Sequence, residues 1–376
     1  MKLKTLKYAE FKGTNREWSI DDCSFGDVNL VVGTNASGKS RMLNAIRALA
    51  NLVSGDMKLR FLSGEYDVQF SSDGTNIQYV LIYEDAEVRS EHLTVGGQLR
   101  LQRGSDGRGS IYAEREERML DFQTPVSELA CVSRRDSLQH SFFEALCQWG
   151  KHARWYPFST SLGKGLFTVF VQGKNDSDVD LKNPESAVAL FHKGRREFPG
   201  TFEERVTQDM RALGYEIDTV DIGSPRSFRP PPDAPGPLEC LIVKEHDLAC
   251  DIDQHDMSQG MFRALALLIH MNYAELASQP SCAIIDDIGE GLDFKRSSAL
   301  IELLIEKAKR TSFQLIMSTN DRFVMNKVPL EYWSILQRSE HGCHILNHAN
   351  SRKLFEDFEL TGLSNFDLFS GDFLPQ

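Results

Sequence analysis

Apolar positions change their spacing several times along this chain, and each change predicts a different element. Residues 28–32, Val-Asn-Leu-Val-Val, form an apolar run of the kind that makes a short buried strand. A glycine-containing loop follows, and then Leu43, Ile46, Ala50 and Val53 recur at helical spacing. From about residue 60 to 115 the pattern becomes short alternating runs, such as 66–70 and 79–83, separated by Asp-Gly and Gly-Gly pairs that suit hairpins. An antiparallel subdomain is expected there. Between about 120 and 220 the signals are mixed and mostly helical, with helices expected over 137–149 and over 201–213, the second stopped by Gly214. A Pro-rich turn at 230–237 marks a boundary. Beyond it the pattern predicts a strand pair, a helix over about 259–277, a strand at 282–286, a helix over about 295–309 and a strand at 313–319. Strands and helices alternating at this spacing imply a mostly parallel sheet with helices on both faces.

Composition narrows the class. Of 376 residues, 41% are apolar and 26% charged, the balance of a globular protein with a sizeable core. No apolar run reaches the roughly 20 residues of a membrane span, and the N-terminal Met-Lys-Leu-Lys-Thr-Leu-Lys-Tyr alternates like a strand rather than forming a signal-peptide core. A cytoplasmic protein without membrane contact is expected. The seven cysteines are scattered and never spaced Cys-x-x-Cys, which argues against a disulfide framework or a zinc ribbon. Buried thiols are expected instead.

The run His341-Gly-Cys343-His344-Ile-Leu-Asn-His348 holds metal-ligand types, but strand-like alternation sends neighbours to opposite faces and keeps them from converging. Net charge is −12, so any contact with nucleic acid has to come from a local patch. Arg100, Arg103 and Arg108 form one candidate, Lys193, Arg195 and Arg196 another, and Arg226 with Arg229 a third. Each reads more simply as a solvated face.

The chemistry is concentrated in a few segments. Gly33-Thr34-Asn35-Ala36-Ser37-Gly38-Lys39-Ser40 matches G-x-x-x-x-G-K-[ST] and stands after a predicted strand and at a predicted helix start. Glycines let backbone N–H groups wrap phosphates, and the helix start adds partial positive charge. Lys39 neutralises the β- and γ-phosphates, and the Ser40 hydroxyl ligates Mg²⁺. The expected nucleotide contacts run from Gly33 through Ser40 to Arg41.

Downstream, Cys282-Ala-Ile-Ile-Asp286-Asp287 places two carboxylates at the carboxyl end of a strand, where open α/β sheets bind ligands. Asp286 is expected to hold Mg²⁺ through water, and Asp287 to stand as the base that orients the attacking water. Asp256-Met-Ser258-Gln-Gly260 opens a helix with the residue types of an anion-binding start.

The order of these segments carries the most information. A phosphate loop, a Ser-x-Gly helix start, an apolar strand ending in two carboxylates and then Gly291-Leu-Asp293, and a strand ending in Ser318-Thr319-Asn320 resemble the ABC ATPase series of Walker A, signature, Walker B, D-loop and switch. Within that superfamily the chain looks most like the soluble OLD-type, AAA-labelled ATPases of prokaryotic antiphage defence, with RecF next. SMC proteins carry a long coiled coil that the heptad-free sequence here lacks. The fold class expected is α/β: an ABC ATPase head with a mixed or parallel sheet flanked by helices, an antiparallel β subdomain and a helical insertion. The expected divisions are an ATPase lobe with Walker A and the β subdomain at 1–120, a mostly helical insertion at 121–235, a second ATPase lobe at 236–345, and an acidic, aromatic segment at 346–376.

The resemblance implies ATP and Mg²⁺ as cofactors and a homodimer, or higher oligomer, closed around ATP. Ser258 and Gly260 would reach the γ-phosphate of the partner copy, and Asp293 would cross the interface. Two departures matter. The family usually has Glu where Asp287 stands and His where Asn320 stands; Asn320 hydrogen-bonds but takes up no proton. Slow hydrolysis is expected, with Lys39, Asp287 and Asn320 as the catalytic set. The resemblance further implies a separately encoded effector, a nuclease or toxin, as partner; a RecF-like clamp that binds DNA directly is the alternative. The C-terminal alternation of Phe and acids, Phe355 to Phe373, either packs its rings on the core or docks a partner.

Overall fold

The computed structural model describes residues 1–169, 179–229, 236–248, 250–279, 282–311, 313–371 and 373–374. Most of the Pro-rich turn expected at 230–237 lies outside the described residues, as does Asp372 of the C-terminal segment. The chain forms two compact units, residues 1–153 with 329–376 and residues 154–328.

In the first unit the strand Val28–Gly33 is buried at every position and lies parallel to Trp333–Ser339. Its Val/Leu composition is what a strand covered on both faces needs. From Trp333–Ser339 the sheet continues through Gly342–Asn347, Trp18–Ser24 and Lys2–Glu10. It then becomes an antiparallel meander of Ser63–Ser72, Thr75–Glu84, Glu87–Val95, Gln98–Arg103, Arg108–Ala113 and Arg118–Gln123. The strict alternation of buried and half-buried residues in Ser63–Ser72 shows a sheet with one face on the core. The helix Lys39–Ser54 buries Leu43, Ile46, Leu49, Ala50 and Val53, and the helix Glu144–His152 packs against it. There Gly150 leaves no room for a side chain, since a Cβ would lie 2.4 Å from the Ala50 carbonyl oxygen. The helix expected over 137–149 begins later, at Glu144, after a single tight turn Ser141–Phe143 that buries Phe143.

One expected basic patch dissolves in this unit. Arg103 is 1% exposed and paired with an equally buried Glu91. The two stand directly opposite each other on adjacent strands. Arg103 also donates to the Pro125 and Glu128 carbonyl oxygens, while Glu91 accepts from Tyr79 Oη and from the Ala130 and Cys131 amides. An ion pair this deep survives because most of its remaining hydrogen-bonding capacity is taken up, Arg103 Nε being the exception among the described residues. Arg103 is therefore a structural strut, not part of a nucleic-acid face.

The second unit has Cys282–Asp286 parallel to Gln314–Ser318, with Ala153–Pro157 on the other side. A smaller sheet holds Thr168–Val169, Leu238–Glu245 and Ile217–Gly223, with Ile252–Asp253 beside Leu238–Glu245. The helices Ala187–Glu197 and Thr201–Ala212 pack against Gln259–Leu276, and Phe294–Arg310 reaches it through Lys307, which donates to Asn272 and Glu275. That last helix is buried at every position from Gly260 to Ala274, so it runs through the core rather than along the surface.

At the C-terminus, Phe355, Phe358 and Leu368 are buried, so these side chains pack inward; Leu360 is 87% exposed. Six cysteines are buried as expected, and Cys250 is exposed. Among the described residues no group of three His, Cys, Asp or Glu side chains is placed to hold a metal ion, which includes the run from His341 to His348. Among the described residues no helix is long and apolar enough to cross a membrane.

Candidate nucleotide site

In the first unit the candidate phosphate loop lies between Val28–Gly33 and the helix Lys39–Ser54. Its backbone is held in shapes that ordinary residues resist. Gly38 has φ +108° and caps the helix, and a Cβ there would lie 2.9 Å from both Cys343 Sγ and Trp18 Cζ2. At Gly33 a Cβ would meet Ser37 Oγ at 2.4 Å and the Leu336 carbonyl oxygen at 2.9 Å. Ala36 also occupies the left-handed region, at φ 62°.

The Lys39 side chain is buried and turns back over the loop, its ammonium donating to the Gly33 and Thr34 carbonyl oxygens at 2.8 and 3.2 Å. Thr34, Asn35 and Ala36 are exposed, as are Ser40 and Arg41 at the helix start. Ser37 Oγ is buried and has no hydrogen-bond partner among the described residues. A buried cation, a helix N-terminus, an unpartnered hydroxyl and a cradle that tolerates no Cβ suit the phosphates of a nucleotide.

Several residues that sequence reasoning passed over shape this loop. Cys343 Sγ donates to the Ser37 carbonyl oxygen at 2.7 Å, and burial pushes its thiol pKa above the ordinary value. The Trp18 ring underlies Gly38 and carries the Arg41 guanidinium 4.5 Å above it, which in turn pairs with Glu10. Arg338 Nη1 reaches the Ala36 carbonyl oxygen at 3.4 Å. Arg338 lies on the strand paired with Val28–Gly33, and Cys343 and Trp18 lie one and two strands further along the sheet, a proximity that local sequence pattern does not show.

The carboxylates lie in the second unit. Asp286 ends the strand Cys282–Asp286 and is 9% exposed. Ser318, at the end of the parallel neighbour, donates its hydroxyl to Asp286 Oδ1 at 2.5 Å and accepts the Asp287 amide at 3.0 Å. One buried serine thus holds the Asp286 carboxylate and the Asp287 backbone. Asp287 has φ 57°, a left-handed conformation that Asp tolerates better than most residues, and it turns the chain away from the strand. Thr319 Oγ1 donates to the Ile288 carbonyl oxygen at 2.9 Å. Asn320, next in sequence, is exposed.

Ser258 is exposed and caps the helix Gln259–Leu276, its hydroxyl oxygen accepting from the Met261 amide at 3.2 Å. Accepting leaves the hydroxyl proton available to an anion. Gly260 is buried against the turn after the carboxylates, where a Cβ would lie 2.3 Å from the Gly291 carbonyl oxygen. Its missing side chain is therefore required by packing within the chain. Asp293 is exposed, caps the helix Phe294–Arg310 through the Arg296 amide at 3.0 Å and pairs with the Arg296 side chain. The Arg296 amide and guanidinium hold the Asp293 carboxyl below its usual pKa.

No family model matches the sequence. No curated protein matches it either. Solved structures do. An SMC head bound to the C-winged helix domain of ScpA is 14% identical, with a TM-score of 0.52, and the match covers 92% of this chain and 97% of that one. An SMC head domain with an extended coiled coil, bound to the C-terminal domain of ScpA from Pyrococcus furiosus, is 14% identical with a TM-score of 0.50, covering 95% and 99%. At such identity the likeness establishes architecture. The α/β chain described here, in which the described residues form no coiled coil, has the fold of an SMC-type ABC ATPase head.

Proposed function

We propose that the chain is an ATP-binding, slowly hydrolysing ABC-type ATPase subunit that closes head-to-tail on ATP with a second copy. On this reading it regulates a separately encoded effector, a nuclease or toxin, in a prokaryotic antiphage defence system. The observation that carries the ATP reading is the Lys39 ammonium folded over the Gly33 and Thr34 carbonyls at a helix N-terminus. The defence role rests on the resemblance of the motifs. The amides of the loop and Lys39 would hold the phosphates. Ser40 is assigned to Mg²⁺ by its place in the loop and Asp286 by its place at the strand end. Bound Mg²⁺ would neutralise charge on the transferring phosphate. Asp287 would orient the lytic water, Ser258 would donate to the γ-phosphate of the partner copy, and Asp293 would lie at the interface.

Slow turnover follows from side-chain reach. Asp287 is one methylene shorter than the usual Glu, and Asn320 has no titratable nitrogen to relay a proton. Direct DNA binding is the less favoured reading. Beyond the buried Arg103, Lys193 is paired with Glu197 at 2.7 Å, Arg195 with Glu203 at 3.2 Å and Arg226 with Asp251 at 2.6 Å. The test is a titration of the full chain with ATP and Mg²⁺ alongside a turnover assay. Binding that Lys39→Ala abolishes, with turnover far below about 10 per second, is the expected result. Absence of ATP binding, or turnover near that median, contradicts it.

A further inference from the structure

We infer that Arg263 is a positioning residue that ties the exposed Ser258 to the turn following the two carboxylates, so that the two move as one body. The inference deepens the ATPase reading and rests on it.

Arg263 lies one turn into the helix that Ser258 caps, and it is 9% exposed. Its guanidinium uses three separate nitrogens on three carbonyl oxygens. Nε donates to Thr160 at 2.6 Å, Nη2 to Ser159 at 2.6 Å and Nη1 to Glu290 at 2.9 Å. Ser159 and Thr160 follow Phe158, whose amide donates to the Asp286 carbonyl oxygen at 2.9 Å. Glu290 belongs to the turn that begins at Asp287, where the Glu290 amide donates to the Asp287 carbonyl oxygen at 3.3 Å. The fork of Arg263 therefore grips two segments, one bonded to the Asp286 backbone and the other the turn that begins at Asp287.

Packing prevents the helix start from sliding past this turn. The Gly291 carbonyl oxygen occupies the space where Gly260 would carry a Cβ, and a Cβ on Gly291 would lie 2.8 Å from Arg263 Nη1. Gly291 has φ +82°, which a residue with a side chain adopts only under strain. A small displacement of the Asp286–Asp287 turn, such as ligand binding there would cause, must either break the Arg263–Glu290 and Phe158–Asp286 hydrogen bonds or carry the capped helix start with it. Lysine cannot replace this arrangement, because a single ammonium offers no planar fork.

The test uses the full-length Arg263→Lys variant, with Gly291→Ala as a second perturbation that crowds Arg263 without removing it. Thermal unfolding, ATP affinity, KM and kcat are measured for each beside the wild type. Positioning predicts that at least one variant stays folded and binds ATP within about threefold of wild type, while its kcat falls tenfold or more at similar KM. A kcat within twofold of wild type in every folded variant overturns the inference. So does a fall in affinity equal to the fall in kcat, and so does failure of both variants to fold, since each marks a general structural role. Failure of the ATPase reading looks different: the wild type itself then neither binds nor turns over ATP.

Discussion

Ser318 Oγ donates to Asp286 Oδ1 at 2.5 Å, a short charge-assisted bond between the ends of two parallel strands. The same oxygen accepts the Asp287 amide, so the Asp286 carboxylate and the Asp287 backbone are held by a hydroxyl that is 0% exposed. Ser318→Ala should leave ATP binding in place, reduce hydrolysis at least tenfold, and lower stability by about 1–3 kcal/mol for the stranded polar groups. Urea unfolding and a turnover assay on one preparation check both parts. Unchanged hydrolysis would remove Ser318 from the account.

Gly38→Ala places a methyl 2.9 Å from Trp18 and Cys343 on a residue with φ +108°. A stability loss of about 1–3 kcal/mol and a marked weakening of ATP binding are expected. Gly165→Ala is the matched control, because no atom of the described residues lies within 4 Å of its Cβ position. If the two variants behave alike in urea unfolding and ATP titration, the cradle argument is wrong.

Arg103→Ala tests the reassignment of a basic residue from surface to core. Removing one partner of a buried pair leaves Glu91 charged and uncompensated, at a cost of about 3–5 kcal/mol. Half-buried Arg100, by contrast, stacks on Tyr112 at 4.1 Å, and Arg100→Ala should cost less than about 1 kcal/mol. Denaturant midpoints of the two variants should differ widely; equal midpoints would return Arg103 to the surface reading.

His270 supplies a pH dependence. Burial, with a smaller contribution from the nearby Arg154 charge, lowers its pKa from 6.5 to about 3. Between those values the unfolded chain binds a proton that the folded chain refuses. Stability is therefore whole above about pH 6.5 and falls as the pH drops toward 3, by up to about 1.4 kcal/mol per unit. At pH 5 the loss from this group is about 2 kcal/mol relative to pH 7. His270→Gln should flatten that part of the urea-midpoint profile between pH 7 and 5. A variant whose profile parallels the wild type would show that His270 does not cause the slope.

Local pattern made much of this architecture legible. Leu43, Ile46, Ala50 and Val53 were enough to place the helix after the phosphate loop, because burial on one helical face demands that spacing. The largely apolar strands Val28–Gly33 and Cys282–Asp286 were legible because a strand buried at every position reads as a short apolar run. The buried Arg103 was not, since counting back from the Gly96-Gly97 turn pairs it with Ser90. A bulge between Leu93 and Thr94 shifts the register and brings Glu91 opposite instead. At the candidate site, motif order exposed Lys39, Asp286 and Ser258, whereas Ser318, Arg263 and Gly291 act through hydrogen bonds and close approaches between segments far apart in sequence. A local pattern carries no record of such contacts.

ATP-dependent pairing of two copies is measured most directly as molar mass by light scattering during size exclusion, with and without ATP and Mg²⁺, for the wild type and for Asp287→Asn. The mass should double from about 42.5 kDa when ATP is bound, most completely for Asp287→Asn, and Ser258→Arg should prevent the doubling while ATP still binds. A mass that is the same with and without bound ATP contradicts it.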